Sequence, residues 1–326
     1  MKYPKFLNEK NNTIGVCAMS SGVGHKLDSF DESMDYMKKS GFDLVETSSV
    51  RNDSEPSCDV LTRVNELNSL IEDEHVSAVW LAAGGDFQFE TLPYIDFDLI
   101  EKNPKWYLGA SDPTNLLFPV TCKCDIATIY GFNAGSFDAY GVNEYSELCL
   151  NFLKGENPML HSSSMHQDVD FYNDGAPILN TKTEYVGSLD VEGRLLGGCF
   201  ESINDMAGTP YDYVEEFNAR YQSDGIIWFF DIFSMNSCDV YRALLKMKYM
   251  GYFKYTKAIL VGRVLFKNIS DLIDYEEAFK KALPEIDVVF KMDIGHTYPH
   301  MYVVNGAMAK VEIKDGHGSI YYEMNE

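Results

Sequence analysis

Positive charge is what this sequence has least of. Its 326 residues hold 27 Lys and Arg against 50 Asp and Glu, a formal net charge of −23. A surface of that sign repels phosphate backbones and anionic bilayers, which argues against nucleic-acid partners and membrane attachment. The acidic residues are spread along the chain rather than gathered in a tail, as on a solubilising surface. No apolar run reaches membrane-spanning length, and the opening segment MKYPKFLNEKNNT lacks the apolar core of a secretion signal. Cysteine is sparse and odd in number, seven residues at Cys17, Cys58, Cys122, Cys124, Cys149, Cys199 and Cys238, which is no disulfide framework. Cys122-x-Cys124 has no second pair at zinc-site spacing, so these thiols are read as packing groups. The expectation is a cytoplasmic protein that binds no metal. Internal repeats and low-complexity tracts are absent as well.

What is present is a large apolar content, 45% hydrophobic and 13% aromatic, enough for two domains. In the first half, strand-like runs alternate with helical spacing. TIGVCAM, DLVET, VSAVWLAA and WYLGA read as strands. Between them, residues 28–39 and DVLTRVNELNSLIED read as helices. That alternation predicts a doubly wound, mostly parallel sheet of the flavodoxin-like kind, covered on both faces. A polar, irregular stretch over 156–182 reads as a linker or surface excursion. Beyond it, EYVGSLDVEGRLLGGCF reads as two strand-like runs around a Glu-Gly turn. GIIWFFDIF, KAILVGRVLF and DVVFKMDIG follow as further strands, with helices near 239–250 and at YEEAFKKAL. The expected organisation is an α/β domain over 1–155 and a second, mixed β/α domain over 183–326.

In an open parallel sheet, ligands bind beyond the carboxyl ends of the strands. Three such ends carry unusual residues: Ser20-Ser21-Gly22, Gly84-Gly85-Asp86 and Gly109-Ala110-Ser111-Asp112. Ser111 admits two readings. A Ser or Asp before Pro113 can cap a helix with its side-chain oxygen. Alternatively, a serine on a tight strand-to-helix turn is exposed as a nucleophile. In the second reading the N–H groups of Gly85 and Asp112 are candidate donors to an oxyanion. A nucleophilic serine needs a base and a carboxylate to orient it. Of seven histidines, His25, His75, His161, His166 and His317 sit in polar or helical surroundings. His296 instead follows an apolar strand, in MDIGHTYPHM. Pro299 argues against a helix joining His296 to His300, and no Glu adjoins His296, so the zincin pattern is absent. Asp231 is the one acid in the apolar run from Ile226 to Phe233, and a buried acid must be paired or lie at a strand mouth. The plainer alternatives are a turn-capping Asp231 and a satisfied core His296.

These segments resemble the serine peptidases that include LD-carboxypeptidase A and the microcin C immunity peptidase. The likeness runs over nearly the whole chain, in order: TIGVCAMSS, VSAVWLAAGGD, IDFDLIEKNPKWYLGASDPTNLL, EGRLLGGCFESINDMAGTPY, GIIWFFDIF and MDIGHTYPHM. The resemblance implies a nucleophile at Ser111 and a catalytic histidine at His296. It places the family's glutamate at Asp231, one methylene shorter. It also puts Ala83 where an arginine is common and Cys199 where an asparagine is common. Substrate contacts fall on Gly84, Gly85, Asp86 and Asp112. The implied activity is cofactor-free cleavage of small peptides, muropeptides by default, in a cytoplasmic homodimer. Two alternatives are hydrolysis of a peptidyl-nucleotide or acyl-adenylate amide, and a detuned protein that binds peptide without cleaving it. Arg194, Arg263 and Lys291 are candidate partners for a substrate carboxylate, each equally readable as a surface charge.

Overall fold

The computed structural model describes residues 1–137, 141, 143–167 and 177–324. The chain divides into two compact units. One comprises Met1–Pro158 and Tyr302–Gly306; the other comprises Met159–Met301 and Ala307–Asn325.

The first unit is built on strands β1 (Thr13–Cys17), β2 (Asp43–Glu46), β3 (Val76–Leu81), β4 (Trp106–Gly109) and β5 (Thr128–Tyr130). They run in the order β2-β1-β3-β4-β5, all parallel, and the short strand Val303–Asn305 adds antiparallel beside β5. This is the flavodoxin-like order expected from the sequence, and its topological switch lies between β1 and β3. β3 and β4 are buried along their whole length, as parallel strands covered on both faces must be. The helices are α1 (Leu27–Lys39), α2 (Val60–Glu72), α3 (Phe97–Lys102), α4 (Thr114–Cys124) and α5 (Tyr145–Leu153). α1 buries Phe30, Met34 and Met37, the face its spacing predicted. α4 differs, since all its residues except Lys123 are buried, and it has no polar stripe.

The second unit begins with the short strands β6 (Leu160–His161), β7 (Met165–Gln167) and β8 (Leu179–Lys182). They lie within the stretch read as a linker; residues 168–176 of that stretch lie outside the described residues. β7 and β8 pair as an antiparallel ribbon. The main sheet contains β9 (Leu189–Cys199), β10 (Ile226–Asp231), β11 (Thr256–Gly262) and β12 (Asp287–Met292), which are mutually parallel. Strands Met308–Lys314 and His317–Glu323 continue it antiparallel from β9 to β6. Helices α6 (Phe200–Met206), α7 (Val214–Tyr221), α8 (Ser237–Tyr249) and α9 (Tyr275–Ala282) complete the unit. One expectation is corrected here: Glu192-Gly193 is no turn but the interior of β9. Leu189–Arg194 pairs with Met308–Ile313, whereas Arg194–Cys199 pairs with β10. At the change of partner, a Cβ on Gly193 would lie 3.0 Å from the Gly225 carbonyl, so glycine serves a close approach rather than a bend.

Candidate active site

In the first unit the chemistry collects at the switch point. Ser111 stands two residues beyond the end of β4 and has φ 69°, a left-handed conformation that is uncommon for a residue bearing a Cβ. The turn is tight. A Cβ on Gly109 would come within 2.5 Å of Pro113 Cβ. Asn133 clamps the turn from outside, accepting from Ala110 N (2.9 Å) and donating to Ala110 O (3.0 Å). Tyr130 Oη accepts the Ser111 N–H at 3.1 Å. The capping reading is corrected: Pro113 occupies the N-cap of α4, and no side chain caps that helix. Ser111 is therefore held as a strained, half-buried turn residue, the geometry of a displayed nucleophile.

The double glycine lies beside it. A Cβ on Gly84 would sit 3.1 Å from Ser111 Cβ, and Gly85 has φ 135°. A Cβ on Gly85 would strike the hydroxyls of Ser20 and Ser21 and the Glu55 carboxylate, so this backbone tolerates glycine alone. Glu55 accepts the Asp86 N–H at 3.0 Å. Asp112 does more than present an N–H. Its buried carboxylate accepts from Ser20 Oγ (2.5 Å), Gln88 N (2.8 Å) and Asn115 Nδ2 (2.6 Å), and Ser20 Oγ accepts from Phe87 N (3.1 Å). One carboxylate thus ties the serine turn to the segment following the double glycine. Burial raises the Asp112 pKa, against the opposing effect of those hydrogen bonds.

The second unit supplies an acid–imidazole pair. Asp231 ends β10 and is fully buried, and its Oδ2 lies 2.8 Å from His296 Nδ1. The His296 side chain keeps 20% of its surface exposed, so Nε2 is the nitrogen left for other chemistry. Burial alone would lower the imidazole pKa; the charge of Asp231, in contact at 2.8 Å, and the Glu201 charge outweigh it, and the net direction is upward. His300 behaves oppositely: burial pulls it down to about 4, and its Nδ1 lies 3.2 Å from Thr297 O. It is a neutral packing group.

The loop carrying His296 is braced by an ionic core. Asp293 accepts from Ser163 N (2.8 Å), Ser163 Oγ (2.9 Å), Tyr185 Oη (2.6 Å) and Arg263 (2.5 Å). Arg263 also donates to Thr297 Oγ1 (3.0 Å) and Pro299 O (2.7 Å), on either side of Tyr298. This engagement removes Arg263 from the candidates for a substrate carboxylate. Arg194 is removed likewise, because it is bound through two nitrogens to Asp224 and stacked on Tyr221. Lys291 remains; it lines a cavity of about 530 Å³ with Lys267, Tyr275 and Phe290.

Glu201 has no place in the sequence-based set, yet it meets the turn after Asp231. Oε1 accepts from Phe233 N (3.1 Å), Ser234 N (2.9 Å) and Met235 N (2.9 Å). The Phe233 ring in turn packs against His296, with centroids 4.6 Å apart.

With this geometry in place, comparison with known proteins is decisive on one point. Residues 14–131 match the LD-carboxypeptidase N-terminal domain, and residues 192–311 match the LD-carboxypeptidase C-terminal domain. The chain belongs to the LD-carboxypeptidase family. Membership in the LD-carboxypeptidases supports peptidase-type hydrolysis. A Treponema pallidum relative grouped by name with the carboxypeptidases is 29% identical over 265 residues, 79% of this chain and 76% of its own. The microcin C7 self-immunity protein MccF of Escherichia coli is 24% identical over 309 residues, 89% of this chain and 87% of its own. Its solved complex with aspartyl sulfamoyl adenosine aligns at a TM-score of 0.81 and 22% identity, over 100% of this chain and 99% of that one. A muramoyltetrapeptide carboxypeptidase from Oxalobacter formigenes aligns at 0.75 and 19% identity, over 95% and 98%. The two solved structures share the LD-carboxypeptidase fold with this chain. Among the described residues no helix is long and apolar enough to cross a membrane.

Proposed function

We propose that this LD-carboxypeptidase family member is a serine-type hydrolase that cleaves an amide next to the terminal carboxylate of a small peptide. Ser111 is its nucleophile, His296 its base and Asp231 the carboxylate that orients the base. The observation that carries this reading is the 2.8 Å contact between His296 Nδ1 and buried Asp231, which directs the second ring nitrogen outward. In the reaction, His296 Nε2 takes the Ser111 hydroxyl proton as Oγ bonds to the scissile carbonyl carbon. The backbone N–H groups of Gly85 and Asp112 hold the oxyanion. His296 then returns the proton to the departing amine, and water repeats the sequence on the acyl-enzyme. The mechanism requires Ser111 Oγ and His296 Nε2 to meet within hydrogen-bond reach at one carbonyl.

A muropeptide-type substrate is the primary assignment, in a cytoplasmic homodimer that sedimentation would test. The likeness to a protein solved with an aminoacyl sulfamoyl nucleoside supports a second reading, hydrolysis of a peptidyl-nucleotide amide. A fluorophosphonate probe separates enzyme from binder. Labelling that Ser111→Ala abolishes is expected, and a folded protein that takes no label overturns the hydrolase. Parallel digests of muropeptides and aminoacyl nucleotides then assign the substrate.

A further inference from the structure

We propose that Glu201 is a positioning residue that fixes the turn behind His296 and acts through it on that ring. The geometry is specific. Glu201 sits in the first turn of α6, and its carboxylate gathers three successive N–H groups, those of Phe233, Ser234 and Met235. Its second oxygen also reaches Phe233 N at 3.3 Å and accepts the Cys199 thiol at 3.5 Å. The turn is half-buried, and one carboxylate satisfying three convergent N–H groups holds it in place. The turn begins two residues after Asp231 and carries Phe233, whose ring lies against the imidazole at an interplanar angle of 47°. Glu201 therefore acts on both sides of the pair: on Asp231 through the chain and on His296 through the Phe233 face.

Its charge acts too. The charges acting on the ring are those of Asp231 at the end of β10 and Glu201 on α6; His300 stands on the ring's own loop, and Arg263, after β11, acts on His300. Arg263 is matched by Asp293, His300 is neutral, and burial with the neighbouring carboxylates keeps Cys199 as the thiol. The uncompensated field at His296 comes from two carboxylates, and both stabilise the imidazolium. Glu201 supplies a second negative charge to the ring that Asp231 contacts.

The kinetic side of this inference rests on His296 being the base; the titration side does not. The test is an NMR titration of the histidine ring protons, with His296 identified by its loss in His296→Gln. Glu201→Gln keeps an acceptor oxygen but removes the charge, so the His296 midpoint is expected to move down in pH while His300 stays neutral. In active enzyme, the alkaline-rising limb of kcat/KM should move down with it. Glu201→Asp keeps the charge but withdraws it from the turn, and a loss of kcat on the order of tenfold to a hundredfold is expected. An unmoved His296 midpoint in folded Glu201→Gln overturns the proposal. Should that variant not fold, an unchanged midpoint together with unchanged kcat in Glu201→Asp overturns it. A shifted midpoint in a protein that hydrolyses nothing leaves the inference standing and removes the proposed function instead.

Discussion

The two units arrange their reactive groups by different physical means. In the first, the main chain does the work: Ser111 at φ 69°, Gly85 at φ 135° and a turn clamped by Asn133. Asp112, a buried carboxylate there, is consumed by hydrogen bonds that join two loops. In the second unit, side-chain charge dominates. Asp231 and Glu201 bias His296, and an Arg263–Asp293 pair braces its loop. A site built on the backbone is sensitive above all to shape. A charge site is sensitive to pH and to single-atom exchanges.

The sharpest test of that contrast is removal of each reacting group. Ser111→Ala and His296→Ala are each expected to lower kcat by about 10⁴-fold or more, and the double variant by hardly more than either alone. Additive losses would show that the two residues do not act as a unit. Next in size is Asp231→Asn, expected to cost about 10⁴-fold in kcat while the protein stays folded, since an amide neither stabilises the imidazolium nor enforces its tautomer. Asp231→Glu should bring no gain, because Asp231 has no exposed surface into which another methylene could expand. A tenfold improvement with Glu would mark the site as detuned.

The pH profile follows from the same pair. His296 must be neutral to accept a proton, and its pKa lies above the ordinary 6.5. Activity should therefore rise with pH through a midpoint above 6.5. A midpoint below that value would show burial outweighing the carboxylates.

Smaller effects probe the first unit through stability. Asp112→Asn replaces one of two accepting oxygens with a donor, and should lower unfolding free energy by about 1–3 kcal/mol in denaturant titration. Ser111→Gly removes the left-handed strain together with the hydroxyl. It should abolish turnover yet raise stability by up to ~1 kcal/mol. An inactive and destabilised Ser111→Gly would show that the serine side chain contributes to the fold and not only to chemistry.

Much of this was legible in the residues. The apolar runs that became β1, β3, β4, β10 and β11 announce buried parallel strands, because such strands have no polar face to interrupt them. The double glycine and the serine after WYLGA stood at strand ends, where backbone freedom and exposure coincide. α4 was legible only at its start: both readings of Ser111 place a helix after Pro113, but LLFPV shows no amphipathic period because the helix is buried on nearly every side. Gly193 read as a turn because sequence cannot distinguish a bend from a close approach.

What the sequence determined by itself was the strand and helix alternation, the parallel sheet and the candidates Ser111, Asp231 and His296, all of which depend on local pattern. Only tertiary structure decided which charges face each other. Arg194 and Arg263 are spent on Asp224 and Asp293, residues 30 positions away in each case. Glu201 finds its donors 32 to 34 positions on, and Asp231 meets His296 across two intervening strands of chain. Hydrogen bonds and ion pairs act over a few ångströms of space, so a linear sequence records the groups and not their partners.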